Sequence, residues 1–120
     1  MTERSGPVTV SPPGRSPDFS RGLLTAVVQD ATSDEVLMVA HMDQEAYEAT
    51  VSSGRATFHS RSRNRLWVKG EQSGNVMEVV ELRLDCDGDA VLLRVVASGP
   101  ACHTGSRSCF EADPETPRGE

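Results

Sequence analysis

Three cysteines, Cys86, Cys102 and Cys109, lie in the last third of this 120-residue chain, and Asp85, Asp87 and Asp89 crowd around the first of them in the run DCDGD. Three thiolates suit zinc, which favours soft ligands in tetrahedral sites. Three protein ligands leave a fourth position for water, the pattern of a catalytic rather than a structural centre. There is no C-x-x-C pair, so the chain is not a zinc ribbon. Spacing alone is satisfied equally well by three unrelated cysteines, one or two of them buried as small hydrophobes. His103 directly follows Cys102 and reads as a fourth ligand, a general base or a plain loop histidine.

The aspartates need their own account. Carboxylates this close resist ionisation unless a cation sits among them. In an extended segment residues 85, 87 and 89 share one face, and an all-oxygen face favours Mg²⁺ or Ca²⁺. The run is not an EF-hand, because Gly88 comes too early and Val96 stands where the bidentate glutamate belongs. The same alternation turns Cys86 to the other face, so that one strand end would serve a soft metal on one side and a hard one on the other. The competing reading is an acidic, solvated turn.

A basic segment is the third feature. Arg55, Arg61, Arg63, Arg65 and Lys69 cluster in a chain whose formal charge is −6. Guanidinium forks match phosphate, Ser60 and Ser62 add hydroxyls, and Trp67 could stack on a base. Taken singly, each residue is better explained by a solvated charged turn with Trp67 in the core. Taken together beside a metal site, they point to a phosphorylated substrate. His41 and His59 fall in or beside strands, where a structural or exposed role suffices.

These residues need elements to position them. LLTAVVQD (23–30) and EVLMVAHM (35–42) are β-branched apolar runs around the turn ATSD and read as a hairpin. Asp43 reads as an N-cap and Gly54 as the stop of a helix with Ala46, Tyr47, Thr50 and Val51 at helical spacing. ATFHS (56–60) and RLWVKG (65–70) read as short strands around the basic turn. VMEVVELRLD (76–85) alternates, with Val76, Val80, Leu82 and Leu84 on one face. AVLLRVVAS (90–98) is a continuous apolar strand. Residues 99–109 are loop-like. The expected fold is α+β, mainly antiparallel strands with one principal helix.

Hydrophobic residues make up 37% of the chain, below the usual globular share, and much of the deficit lies at the ends. Residues 1–20 read as a flexible leader and 111–120 as a flexible polar tail, leaving one domain at 21–110. So small a core gains from a partner subunit or a metal. The acidic balance excludes a general nucleic-acid coat. No apolar run is long enough for a signal peptide or a membrane span, so a cytoplasmic location with no membrane partner is expected. In a reducing compartment the cysteines are expected free, catalytic or metal-bound.

The blocks VQDATSDEVLMVAHMDQEAYEATVSSGRATFHS, SRSRNRLWVKGEQSG, LDCDGDAVLL and GPACHTGSRSCF, which span roughly residues 22–110, closely resemble the phosphoribosyl-AMP cyclohydrolases of histidine biosynthesis. The resemblance implies hydrolysis of the N1–C6 bond of the adenine ring of N1-(5-phosphoribosyl)-AMP. It implies one Zn²⁺ per subunit on Cys86, Cys102 and Cys109, and one Mg²⁺ per subunit on Asp85, Asp87 and Asp89. It further implies an intertwined homodimer with the zinc site shared between chains, Cys86 coming from the partner. Two departures stand out: the family has SGH where this chain has Ser73-Gly74-Asn75, and an aromatic residue at the positions of His41 and His59. Some relatives carry a second, pyrophosphohydrolase domain, for which the residues after Cys109 leave no room, so a monofunctional enzyme is expected.

The chemistry suits the residues. Zinc lowers the pKa of a bound water, and zinc deaminases attack C6 of adenine from cysteine-rich sites. The ribosyl group on N1 makes the substrate ring cationic and C6 more electrophilic. His103 is the candidate for moving the proton, and Arg61, Arg63, Trp67 and Lys69 are the candidates for holding the substrate. Two other readings compete, a zinc protein in which the metal only staples a small core and a thiol redox protein. The fourth zinc position discriminates: if His103 closes it, the enzyme reading weakens.

Overall fold

A computed structural model describes residues 7–71, 74–99 and 108–110. The expected α+β class holds: a five-stranded sheet and a two-stranded sheet share one core with a single helix among the described residues. In chain order the elements are β1 (Val10–Ser11), β2 (Leu24–Asp30), β3 (Val36–Met42), α1 (Gln44–Ser53), β4 (Thr57–Ser60), β5 (Arg65–Val68), β6 (Met77–Leu84) and β7 (Ala90–Ala97).

The large sheet runs β1-β6-β7-β2-β3. Two hairpins, β2–β3 and β6–β7, are antiparallel as the sequence suggests, but they meet side by side with β7 parallel to β2. The sheet is therefore mixed rather than simply antiparallel. The reason is the connection: α1 and the β4–β5 hairpin intervene between β3 and β6, the kind of long crossover that a parallel pairing requires.

Residues 7–20 fall in the stretch whose composition suggests a leader. Here Val10–Ser11 pairs in parallel with β6, and Val8, Val10 and Phe19 pack against the core. Phe19 meets Tyr47 of α1 edge to face, with ring centroids 6.1 Å apart.

One face of the large sheet is sealed. Leu24, Ala26 and Val28 of β2, Met38, Ala40 and Met42 of β3, Leu82 and Leu84 of β6, and Val91, Leu93 and Val95 of β7 are buried there with Phe58 of β4. Strand β6 corrects the expected alternation. Met77 and Val79 are buried, not Val76 and Val80, because the register shifts between Val79 and Glu81. A bulge adds one residue and moves the inward set from odd to even numbers.

Helix α1 begins and ends where capping chemistry places it. The Asp43 carboxylate accepts the Ala46 N–H at 2.8 Å, and Gly54, at φ 77°, donates its N–H to the Thr50 carbonyl. Thr50 is fully buried; its hydroxyl donates to the Ala46 carbonyl and accepts the Thr57 N–H at 3.0 Å, which fastens the helix to β4.

The outer face of the large sheet is different. Val39 pairs with Val27 and Val27 with Leu92, so these three form one rung on that face. Val39, Val36 and Val96 are 44%, 38% and 46% exposed, an apolar surface that the described residues leave uncovered. Beside the strip, Arg94 binds the Asp34 carboxylate and the Gln29 amide oxygen, each at 2.8 Å, and the Ala31 carbonyl at 2.9 Å.

Candidate metal centre and basic hairpin

Residues 85–89 form a turn, not an extended strand end, so the alternation that would sort Cys86 from the aspartates does not apply. One oxygen of Asp85 accepts amide N–H bonds from Gly88 at 2.8 Å, Asp89 at 3.1 Å and Ala90 at 3.3 Å, which closes the turn. Its desolvation alone would raise the Asp85 pKa, but the bonds from Ala90, Gly88 and Asp89 more than offset that and hold the carboxyl below its ordinary value. Gly88 is buried at φ 77°, where a side chain would strike the Ser16 carbonyl. Cys86 is exposed, its Sγ 3.7 Å from Asp87 Oδ1, and Arg21 approaches Asp89 to 3.5 Å.

The basic turn and the aspartate turn lie at the same end of the large sheet, because His41 pairs with Thr25 and Thr25 with Ala90. Strands β4 and β5 pair from Thr57↔Val68 to Ser60↔Arg65, leaving residues 61–64 as the turn, with Asn64 at φ 52°. Arg61 and Arg63 are exposed there. Arg61 lies close enough to His41 to reinforce the effect of burial, which is the larger cause lowering that imidazole's pKa. Trp67 is half-buried, its ring 5.5 Å from Phe58, and Lys69 Nζ lies 5.6 Å from the Trp67 ring centre. Trp67 is thus partly core, as the bland reading has it, while the cation beside it leaves one side facing the basic segment.

Cys109 is elsewhere. Its N–H donates to the Leu37 carbonyl at 2.7 Å, and the buried Ser108 hydroxyl donates to the Val36 carbonyl at 2.7 Å, which seats the segment at the start of β3. The rung Met38–Val28–Leu93 passes beside this point, whereas Cys86 lies beyond Leu84 and Val91 at the other end. At about 3.3 Å per residue along strands and about 4.8 Å between them, the two cysteines are roughly 20 Å apart. Zinc–sulfur bonds of about 2.3 Å require thiolates within about 4 Å of one another. Within one chain, Cys86 and Cys109 therefore do not share a metal, and no group of three or more His, Cys, Asp or Glu side chains among the described residues is close enough to hold one. The donor set itself, three thiols and three carboxylates, fits zinc and a hard cation if a second copy supplies the missing side. Cys102 and His103 lie outside the described residues.

Two contacts went unread in the sequence. The His59 Nδ1 lies 3.3 Å from the Asp43 carboxylate, and Gly99 leaves room for the Asn75 side chain, whose Oδ1 sits where a Cβ would be. The pairing of Asp43 with a base from β4 has no local signal, since sixteen positions separate them. The glycine gave only the general hint of a close approach.

The model of the phosphoribosyl-AMP cyclohydrolase family matches residues 38–111. The chain is similar to a phosphoribosyl-AMP cyclohydrolase of Rhizorhabdus wittichii, 68% identical over 89 residues that cover 74% of this chain and 72% of the relative. Another of Listeria innocua is 53% identical over 93 residues, 78% of this chain and 89% of the relative. A histidine biosynthesis bifunctional protein HisIE of Staphylococcus epidermidis is 50% identical over 99 residues, 82% of this chain and 47% of that protein.

Proposed function

The chain belongs to the phosphoribosyl-AMP cyclohydrolase family, and on that premise we propose a homodimeric, metal-dependent cyclohydrolase whose zinc centre is completed across two chains. Its reaction is the hydrolytic opening of the adenine ring of N1-(5-phosphoribosyl)-AMP between N1 and C6, a step of histidine biosynthesis. The observation that carries the dimeric site is the placement of Cys86 and Cys109 at opposite ends of one sheet. Two copies stacked on their outer faces, about a two-fold axis oblique to the strands, would bring the Cys86 corner of one sheet to the Cys109 corner of the other. The strip of Val39, Val27 and Leu92, with Val36 and Val96 exposed nearby, is the apolar surface such a stack would bury.

In this reading Cys86 of one chain meets Cys102 and Cys109 of the other. Zinc held there would act as a Lewis acid and lower the pKa of water near C6. Asp85, Asp87 and Asp89 would hold Mg²⁺, whose charge would offset that of a substrate phosphate. Arg61 and Arg63, exposed on one turn at the same end of the sheet, bind phosphate through their guanidinium forks. Trp67 and Lys69 bound the base-binding side. His103 transfers the proton that N1 needs when the ring opens. The enzyme is expected in the cytoplasm.

Incubating zinc-loaded protein with phosphoribosyl-AMP, with and without Mg²⁺, and following the absorbance change of ring opening tests the assignment. No change above the metal-only control would overturn it.

A further inference from the structure

Helix α1 and strand β4 are fastened at two places. The first is the buried Thr50 hydroxyl on the Thr57 N–H. The second lies at the helix start. There one Asp43 oxygen caps the helix through the Ala46 N–H, and the other lies 3.3 Å from Nδ1 of His59. The His59 side chain is only 14% exposed. Its Nδ1 has no access to solvent and no aligned hydrogen bond, although the carboxylate is within reach. A buried ring nitrogen left bare is unfavourable, and a small rotation of the ring aligns it with the carboxylate. His59 immediately precedes Ser60, which pairs with Arg65 to close the turn that carries Arg61 and Arg63.

We propose that Asp43 and His59 are a positioning pair: the carboxylate that caps α1 also holds His59 with its Nδ1–H toward it, and so aims the 61–64 turn at the phosphorylated substrate. This rests on the reading of Arg61 and Arg63 as phosphate ligands. Thr57 and His59 stand two apart in β4, so the second fastening follows the first by one strand repeat. With the strand held at both points, the turn beyond it has one direction. Released at His59, the turn can swing about the Thr50–Thr57 bond, and displacement of a binding group by an ångström is enough to cost rate or affinity.

Asp43→Asn tests the pair, because asparagine caps a helix about as well as aspartate. If its oxygen keeps the cap, its amide points N–H groups at His59. Nδ1 must then accept, and the proton moves to Nε2. In ¹⁵N-histidine spectra recorded above the ordinary histidine pKa, the wild-type His59 signal, assigned by its loss in His59→Asn, is expected from the Nδ1–H tautomer. In Asp43→Asn it is expected from the Nε2–H tautomer. The KM for phosphoribosyl-AMP should rise about tenfold with kcat within about twofold. His59→Ala should give the same rise. His59→Asn, whose amide nitrogen stands near the place of Nδ1, should restore KM to within about threefold of wild type. An Nε2–H tautomer in the wild type overturns the pair, and so does an unchanged KM in Asp43→Asn or, if that protein does not fold, in His59→Ala. Wild-type protein without activity would sink the cyclohydrolase reading instead, and the spectra would still decide the pair.

Discussion

A Cβ on Gly88 would lie 2.5 Å from the carbonyl oxygen of Ser16. The aspartate turn and the proline-rich segment before β2 are therefore packed backbone to backbone, and the Asp18 N–H donates to the Gly88 carbonyl at 2.7 Å. The turn that carries Cys86 is braced from outside its own hairpin.

Gly88→Ala should be destabilising by about 2–4 kcal/mol, combining a left-handed backbone that side chains resist with a clash against a carbonyl. Gly74, at φ 84° with nothing within 4 Å of its Cβ position, is the control. Gly74→Ala should cost only about 1 kcal/mol. Urea unfolding midpoints at one pH compare the two. Equal losses would mean that the Ser16 contact contributes nothing.

His41 provides a pH dependence. Burial first, and the nearby Arg61 second, lower its pKa in the folded state. The unfolded chain therefore binds more protons as the pH falls through the ordinary histidine value. The stability is complete above about pH 6.5 and declines as the pH falls toward the lowered folded value. His41→Gln should flatten the urea midpoint profile between about pH 7 and about pH 5. A profile of unchanged slope would show that another group titrates there.

How far the sequence reaches depends on the range of the interaction. The paired apolar runs, the Asp43 cap and the Gly54 stop are local, and each element from β2 to β7 lies within a residue or two of its expected place. The parallel seam between β7 and β2 is not local. Nothing in AVLLRVVA distinguishes a central strand with one parallel neighbour from one in a simple meander. The bulge in β6 is equally silent, since MEVVELRL alternates acceptably in either register. Val10–Ser11 escapes notice because two residues beside proline give no period to detect. At the site, the basic turn was legible as a charge cluster, but its attachment through His59 to Asp43 was not.

The metal ligands make separable predictions. Cys86→Ala, Cys102→Ala and Cys109→Ala should each lower bound zinc and reduce turnover by roughly a hundredfold or more. Asp87→Asn should keep zinc while losing most of the activation by added Mg²⁺. Metal analysis paired with rates measured across Mg²⁺ concentrations separates the classes. Activity indifferent to Mg²⁺ in the wild type and unimpaired in Asp87→Asn would return the aspartates to the role the Asp85 hydrogen bonds already give one of them, that of closing a turn.

The shared centre can be tested by mixing two inactive proteins. Cys86 and Cys109 lie at opposite ends of one sheet, so in a two-chain site each centre takes Cys86 from one copy and Cys109 from the other. A heterodimer of Cys86→Ala with Cys109→Ala then contains one centre lacking both cysteines and one centre with all its ligands. With random pairing of equal amounts, about a quarter of wild-type activity should return. If each centre were instead built within a single chain, every centre in the mixture would lack a cysteine and activity would stay absent. Subunit exchange is followed independently, by mass spectrometry of isotopically labelled chains. A mixture that exchanges and remains inactive would overturn the shared centre. The outer sheet face gives a second arm, because Val39→Glu places a charge at the exposed end of the Val39–Val27–Leu92 strip. This variant should shift the protein toward monomer in sedimentation and lower zinc content with it, although Val39 is not a ligand.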